Sequence, residues 1–193
     1  MRFVLGLTGV SGAGKSVAAE HFKKRGAFVI DADKISRDIT KKGGIAVPEI
    51  EKAFPETVTD GVIDRKKLGS IVFNDSEKLK ILNKITHKYI MKIIKELAES
   101  NDGFIVIDAP VLYEAGADAL CDKVMVIDAP DEVKKKRIMV RDNIDRARAK
   151  ERIAARNAAA LREKADVTVV NDSDEASFFS KLDSFLKGNA IIK

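Results

Sequence analysis

Residues 9–16 of the chain read Gly9-Val10-Ser11-Gly12-Ala13-Gly14-Lys15-Ser16, and they follow the apolar run Phe3-Val4-Leu5-Gly6-Leu7. They match the phosphate-binding pattern G-x-x-x-x-G-K-[ST], in the strand-then-helix context that this pattern requires. Glycines let successive backbone N–H groups turn inward and form a nest for an anion. The stretch therefore predicts a site for a nucleoside triphosphate, with backbone contacts to the phosphates from Ser11, Gly12, Ala13 and Gly14.

Two side chains at the end of this stretch have predicted roles of their own. Lys15 is expected to reach the β- and γ-phosphate oxygens, and the Ser16 hydroxyl is expected to ligate Mg²⁺. A helix that begins near Lys15 points the positive end of its dipole at the same phosphates. The loop therefore predicts a nucleoside triphosphate and Mg²⁺ as its ligands.

Composition limits the class of protein. The 193 residues are 45% hydrophobic and 34% charged, which is typical of a globular domain with a substantial core. The formal net charge is +5, but the basic residues are dispersed and no aromatic pattern accompanies them, so we expect no nucleic-acid partner. No apolar run reaches membrane-spanning length, and the single cysteine, Cys121, fits a reducing compartment. We expect a cytoplasmic protein.

Short apolar runs alternate with helical patterns and predict an α/β fold with a parallel sheet. The predicted strands are residues 2–8, 27–30, 104–107, 124–127 and 167–170. Residues 34–100 show a helical pattern with little strand signal, and residues 81–97 have the spacing of one long amphipathic helix. Five apolar residues between Phe178 and Leu186 predict a C-terminal helix that stops at Gly188.

Carboxylates at the ends of two predicted strands are candidates for the chemistry. Asp31 and Asp33 follow the second strand, where an open α/β sheet faces its ligand. On an extended strand end both side chains point the same way, so one could accept a hydroxyl proton and the other could orient Mg²⁺. The alternative is that they cap a following helix at Lys34–Thr40. Asp108 ends the third strand and competes with Asp31 for the Mg²⁺ role.

Six arginines between Arg137 and Arg156 follow the fourth strand. Arginine binds phosphate oxygens with a planar fork, so this stretch predicts a lid that closes over the triphosphate and excludes water. Interspersed acidic residues favour the alternative of a solvated helix face with ion pairs. Arg141 is the first choice for a functional arginine. No N-K-x-D motif is present, and the small size favours a small-molecule kinase over a GTPase or a larger ATPase.

The chain resembles bacterial-type dephospho-CoA kinases along nearly its whole length. The resemblance rests on the phosphate loop and on Asp31-Ala32-Asp33, Gly61–Asn74, Ile85-Thr86-His87, Ala109–Glu114, Lys136–Asp142 and Ala165–Asn171. It implies a three-layer P-loop kinase fold that forms one domain. The core would cover about residues 1–33, 101–140 and 160–193, the helical substrate-side insertion about 34–100, and the arginine-rich lid about 141–159.

The same resemblance implies that ATP phosphorylates the ribose 3′-hydroxyl of dephospho-CoA, which is the last step of coenzyme A synthesis. Asp33 would be the general base, and Lys15 and Arg141 would stabilise the phosphoryl charge. The implied substrate residues are Thr8, Asp31, His87, Pro110, Leu112 and Glu114, and Asn171 would lie beside the ATP adenine. A monomer or weak homo-oligomer is expected.

The chain departs from the family pattern at three positions. Lys88 stands where Pro is usual, Arg156 where Gln is common, and Ser173 near a usual Gly.

Two other functions stay open at this point. One is a kinase of the same fold that acts on another hydroxylated acceptor, which substrate screening would reveal. The other is a regulatory protein that binds ATP and transfers nothing, which would leave Asp33 without a role.

Overall fold

The computed structural model of the chain describes residues 2–155 and 157–191. The strands are β1 (Phe3–Gly9), β2 (Phe28–Asp31), β3 (Val58–Thr59), β4 (Val62–Ile63), β5 (Phe104–Asp108), β6 (Lys123–Asp128) and β7 (Val167–Val170). The helices are α1 (Lys15–Lys24), α2 (Ala32–Ile39), α3 (Val47–Ala53), α4 (Arg65–Val72), α5 (Ser76–Glu99), α6 (Asp131–Asp142), α7 (Arg146–Ala154), α8 (Ala158–Lys164) and α9 (Glu175–Gly188). Short 3₁₀ turns lie at Pro55–Thr57 and Ala117–Leu120.

A parallel sheet forms the centre of the fold. Across the described residues it has five strands in the order β2-β5-β1-β6-β7. The central strand β1 pairs with β5 and β6, so that Leu7 is in register with Asp108 on one side and Met125 on the other. Parallel strands covered on both faces read as continuous apolar runs, which is why the pattern was visible in the sequence. The predicted α/β fold is confirmed, and each strand end lies within one residue of its predicted position.

The chain divides into two compact units. The first comprises the described residues of Met1–Ile30 and Ala98–Lys193, and the second is Asp31–Leu97. The core of the first unit includes Leu5, Phe22, Val106 and Phe178, all of them buried. The boundaries of the second unit lie close to those of the predicted helical insertion.

A small hairpin in the second unit corrects the expectation that residues 34–100 carry little strand signal. Strands β3 and β4 pair antiparallel through the turn residues Asp60 and Gly61, whose φ angles are 50° and 72°. Two positive φ angles are the requirement of a tight type I′ hairpin turn, and Asp-Gly is a preferred pair for it. The signal was therefore present as Asp60-Gly61 between two pairs of β-branched residues, Val58-Thr59 and Val62-Ile63.

Cys121 is a packing residue. A Cβ atom added at Gly6 would lie 2.8 Å from its Sγ, so the close approach of this thiol requires glycine in β1. Burial raises the pKa of the Cys121 thiol to about 12. The thiol therefore stays protonated near neutral pH and is a poor nucleophile. In the described part of the chain, no helix has both the length and the apolar character needed to cross a bilayer.

Candidate active site

The phosphate loop joins β1 to α1 and depends on two glycines with left-handed backbone. The φ angle is 78° at Gly12 and 105° at Gly14, a region that other residues rarely adopt. The Ala13 N–H donates to the Val10 carbonyl at 3.2 Å and closes the turn before the helix. Gly14 then serves as the N-cap of α1. The pattern predicted from the sequence has the backbone form that a phosphate nest needs.

Helix α1 presents its positive end at this loop. Lys15 and Ser16 occupy its first turn, which contains no acidic residue, so no side chain neutralises the helix dipole. Ser16 is exposed, and its hydroxyl is accessible to a ligand. An anion at this end of α1 is therefore favoured both by the dipole and by the free backbone N–H groups of the first turn.

Lys15 forms an ion pair and hydrogen bond with the carboxylate of Asp108. The register of β1 and β5 explains the contact, because Asp108 ends β5 directly beside Leu7. The side chains of Lys15 and Asp108 are only 15% and 11% exposed, so each charge needs the other. The structure thus brings the predicted phosphate-binding lysine and one predicted Mg²⁺ carboxylate together.

A residue that the prediction did not single out contacts the loop from α6. The Arg137 guanidinium donates to the carbonyl of Gly12 at 3.4 Å and to that of Ala13 at 3.3 Å. It also donates to the Asn171 side-chain oxygen at 3.3 Å. Arg137 was counted in the arginine-rich stretch, but only its three-dimensional position distinguishes it from its neighbours there.

Arg141, the arginine first chosen from the sequence, lies in the last turn of α6 and is held elsewhere. Its guanidinium binds both oxygens of Asp142, at 2.7 and 2.9 Å, and its side chain is exposed. This contact holds the pKa of Asp142 below its ordinary value and raises that of Arg141. Arg152 of α7 pairs with the same carboxylate. Arg141 therefore lies on an ion-paired helix face, which was the alternative interpretation of the arginine-rich stretch.

Asp31 is the last residue of β2 and Asp33 lies in α2, so the two aspartates of the second unit do not share an extended strand end. Asp31 is the N-cap of α2, and its side chain accepts the Lys34 N–H at 2.8 Å. Asp33 lies in the first turn of α2, with an exposed side chain. The expectation that both carboxylates point the same way from a strand is wrong, because α2 begins at Ala32. Capping also occupies one Asp31 oxygen, which weakens the assignment of Asp31 to Mg²⁺.

Two of the predicted substrate residues are built into the first unit. Thr8 is fully buried, and its hydroxyl donates to the Pro110 carbonyl at 3.0 Å. Leu112 is also fully buried, and a Cβ at Gly6 would lie 2.8 Å from its Cδ2 atom. Both side chains therefore hold the segment after β5 in place. Sequence alone did not separate this supporting role from a direct contact with substrate.

The same segment lines an open cavity of about 280 Å³ together with α8. Its polar lining includes Tyr113, Glu114, Asn157 and Lys164. The Tyr113 hydroxyl is buried with no hydrogen-bond partner among the described residues, and burial raises its pKa. Glu114, predicted from the sequence as a substrate residue, thus lies at an accessible wall, in contrast to Leu112.

His87 and Lys88 lie on α5 in the second unit. His87 is half-buried, and Lys88 donates to the Glu49 carboxylate at 2.6 Å. Helix α5 runs unbroken through Lys88, the position where a proline would remove a backbone donor. The departure at Lys88 therefore preserves a regular helix and adds an ion pair. The departure at Arg156 lies outside the described residues, and Ser173 lies in the loop between β7 and α9.

Within residues 2–155 and 157–191, no cluster of three His, Cys, Asp or Glu side chains forms a ready-made metal site. Oxygen donors do lie at one end of α1, where the Ser16 hydroxyl follows Lys15 and Lys15 contacts Asp108. Hydroxyl and carboxylate oxygens are the ligands that Mg²⁺ takes, with further positions filled by water and phosphate. The residues present therefore fit a Mg²⁺ ion that arrives with a nucleotide.

The chain is similar to known proteins over most of its length. A sequence model of the dephospho-CoA kinase family matches residues 3–177, which include every site residue described above. A dephospho-CoA kinase of Fusobacterium nucleatum is 40% identical over 186 residues, covering 94% of this chain and 96% of that protein. Among solved structures, TT1252 from Thermus thermophilus superposes with a TM-score of 0.83 at 26% identity, covering 97% of each chain. A dephospho-CoA kinase from Campylobacter jejuni has a TM-score of 0.62 at 31% identity, also covering 97% of each.

Proposed function

The chain belongs to the dephospho-CoA kinase family, and we propose on that premise which of its residues carry each part of the reaction. The enzyme uses ATP to phosphorylate dephospho-CoA, the final step of coenzyme A synthesis. In the proposed reaction the ribose 3′-hydroxyl attacks the γ-phosphorus of ATP, the bond to the β-phosphate oxygen breaks, and CoA and ADP leave. The phosphate loop with its Lys15–Asp108 pair is the observation that carries the proposal.

ATP binds at the N-terminus of α1 in this proposal. The N–H groups of the loop hold the phosphates, and Lys15 moves its ammonium group from Asp108 toward the β- and γ-phosphate oxygens. Mg²⁺ would be held by Ser16, with Asp108 orienting its water ligands, and would neutralise charge between the β- and γ-phosphates. Because the Asp108 carboxylate is nearly buried, it needs a cation nearby, and Mg²⁺ would supply that charge once Lys15 contacts the phosphates.

The acceptor hydroxyl is deprotonated by Asp33 in this proposal. Its exposed carboxylate in the first turn of α2 is accessible to a substrate, while Asp31 fixes the start of the same helix. By the family resemblance, His87, Pro110 and Glu114 would contact dephospho-CoA. Arg141 would exchange Asp142 for a phosphate oxygen when the segment of about residues 141–159 closes as a lid.

We propose a cytosolic enzyme that acts as a monomer or weak homo-oligomer, with no nucleic-acid or membrane partner. The single free thiol supports a reducing compartment.

The test is acceptor-dependent release of ADP from Mg²⁺·ATP, comparing dephospho-CoA with adenosine, AMP and gluconate. Release with dephospho-CoA, with CoA as the product, is the expected result. A response to another acceptor alone would keep the kinase fold and change the substrate. Nucleotide binding without release to any acceptor would indicate a protein that binds ATP and transfers nothing.

A further inference from the structure

The side-chain amide of Asn171 forms hydrogen bonds within the protein. The residue is 6% exposed, its Nδ2 donates to the Ala13 carbonyl at 2.9 Å, and its Oδ1 accepts from Arg137 at 3.3 Å. This orientation gives each acceptor a donor, whereas the flipped amide would set oxygen against a carbonyl and nitrogen against a guanidinium. These contacts are typical of a residue that fixes the phosphate loop by binding one of its backbone carbonyls.

The loop carbonyls of Gly12 and Ala13 are held by two side chains together. Arg137 donates to both of them, and Asn171 donates to Ala13 as well. The peptide bond is planar and trans, so the N–H of Gly14 points opposite to the carbonyl of Ala13. Fixing that carbonyl on the side of Arg137 and Asn171 therefore fixes the Gly14 N–H on the other side. This N–H belongs to the stretch whose donors form the phosphate nest.

Both side chains are anchored to the end of β6. Asp128 is 4% exposed, and its carboxylate binds the buried Lys134 ammonium at 3.0 Å, one turn before Arg137 on α6. The backbone carbonyl of Asp128 accepts the Asn171 N–H at 2.8 Å. One residue thus positions both the helix that carries Arg137 and the loop that carries Asn171.

The two left-handed glycines are fitted to these anchors. A Cβ at Gly14 would lie 2.4 Å from the Asn171 Nδ2 atom, and a Cβ at Gly12 would lie 2.8 Å from the Lys134 carbonyl oxygen. The loop therefore needs glycine at both positions for space as well as for backbone angle. Such close fitting leaves the peptide between Ala13 and Gly14 little room to turn.

We propose that Arg137 and Asn171 form a loop brace: they are positioning residues that preset the phosphate loop for the triphosphate. The inference deepens the proposed function and rests on it, since it assumes that the loop holds the phosphates of ATP. It gives Asn171 a role distinct from the expected position beside the adenine. The brace acts on the phosphate-binding backbone, and its contribution does not depend on the base.

The test compares ligands that share phosphates and differ in the base. Dissociation constants for Mg²⁺·ATP, Mg²⁺·GTP and inorganic Mg²⁺·tripolyphosphate are measured by calorimetry for the wild type, Asn171→Ala and Arg137→Lys. Arg137→Lys keeps the charge but removes the fork that serves three acceptors. We expect each variant to raise the dissociation constants of all three ligands by the same factor. That factor should be about tenfold, which is the effect of losing one or two hydrogen bonds. The KM for dephospho-CoA should stay unchanged.

Two comparisons separate positioning from a general loss of structure. Asn189→Ala removes a similar amide that bonds the Phe185 carbonyl at the end of α9, and it should leave all three dissociation constants unchanged. In the double variant of Arg137 and Asn171 the losses should fall short of additivity, because both side chains hold the same Ala13 carbonyl.

Weaker binding of ATP with unchanged binding of tripolyphosphate would overturn the brace, because it would indicate a contact with the base. Unchanged affinity for all three ligands would also overturn it, and so would fully additive losses of affinity in the double variant. If either single variant fails to fold, the other carries the comparison. Failure of the wild type to phosphorylate dephospho-CoA would reject the proposed acceptor, while the tripolyphosphate comparison would still decide the brace.

Discussion

At the scale of single residues, the pairing of Lys15 with Asp108 places a nearly buried cation at the mouth of the phosphate nest. The ion pair holds the Lys15 side chain in a defined position. The oxygens of a bound triphosphate would be stronger hydrogen-bond acceptors for its ammonium group. Lys15 thus has a proposed catalytic role toward ATP and a structural role toward Asp108, and turnover and stability measurements report on the two roles separately.

Replacing Lys15 by Met should lower kcat roughly 10²–10³-fold, the usual effect of removing one group that stabilises developing charge. Removing the cation also leaves the carboxylate of Asp108 buried without this partner, so the melting temperature should fall. Turnover is measured by coupled ADP release, and folding by circular dichroism. Lys187→Met, in the last turn of α9, is the matched control and should retain activity. Near-normal turnover of Lys15→Met would remove the lysine from the mechanism.

Asp31 and Asp33 can be separated because one caps α2 and the other lies within it. Asn caps helices as well as Asp, so Asp31→Asn should keep both stability and turnover, while Asp31→Ala should lose about 1 kcal/mol of stability. Asp33→Asn should lower kcat roughly 10²–10⁴-fold with ATP affinity retained, as expected for loss of a general base.

Steady-state kinetics and urea unfolding check these outcomes, with Asp64→Ala as the cap control on α4. Loss of turnover in Asp31→Asn would return Asp31 to the magnesium site. Full activity of Asp33→Asn would instead require a different base.

The sequence predicted the site residues whose types are set by local geometry, but not those whose roles depend on contacts with distant parts of the chain. The phosphate loop was predictable because its residue types are dictated by backbone geometry around an anion, and Asp108 because it ends a strand. Arg137 was not, because an arginine that bonds Gly12 and Ala13 has the same local sequence context as one that pairs with Asp142. The burial of Thr8 and Leu112 likewise depends on β5 and on Gly6, far away in sequence.

At the scale of elements, α1 is tied to α9 by a small charged network. His21 of α1 is buried, binds the Asp183 carboxylate at 2.7 Å and stacks on Phe179, with ring centroids 4.3 Å apart. Arg25 binds the other oxygen of Asp183. Burial by itself would raise the pKa of Asp183, but the hydrogen bonds from His21 and Arg25 lower it below the ordinary value.

This network should make stability depend on acid pH. A carboxylate with a lowered folded-state pKa stabilises the fold fully above its unfolded-state pKa, and the contribution is lost as the pH falls through the folded-state pKa. Asp183→Asn should therefore be less stable than the wild type at pH 7, and the difference should shrink below about pH 4. Urea unfolding at several pH values measures it, with Asp102→Asn as an exposed control. A difference that is constant with pH would show that the carboxylate charge is irrelevant.

Strands of the sheet and the longer helices were predicted well, and the turns between short elements were not. The sheet strands are apolar runs buried on both faces, and α5 and α9 keep a helical spacing over many residues, so the patterns persist. The hairpin of β3 and β4 offers only two residues on each side of Asp60-Gly61. The start of α2 at Ala32 was placed too late because Asp31 reads equally well as a strand end and as a cap.

At the scale of the whole molecule, the proposed reaction divides its residues between the two compact units. The phosphate loop, Asp108, Arg137 and Asn171 belong to the first unit, and Asp33 and His87 belong to the second. Because Lys15 is proposed to contact ATP and His87 to contact dephospho-CoA, a variant at either residue should affect the binding of one ligand and spare the other. Ligand-induced stabilisation measures this division directly, because it reports binding without requiring turnover.

Mg²⁺·ATP at a hundred times its dissociation constant should stabilise the wild type by about 2.7 kcal/mol, which corresponds to roughly 5–10 °C in melting temperature for a chain of this size. Removing Mg²⁺ with EDTA should shrink that shift. His87→Ala should keep the ATP shift and lose most of the shift caused by dephospho-CoA, whereas Lys15→Met should do the reverse. Equal loss of both shifts in His87→Ala would make His87 a packing residue of α5. Opposite responses of the two variants would support the assignment of Lys15 to ATP and of His87 to dephospho-CoA, because each substitution would then remove a contact with one substrate alone.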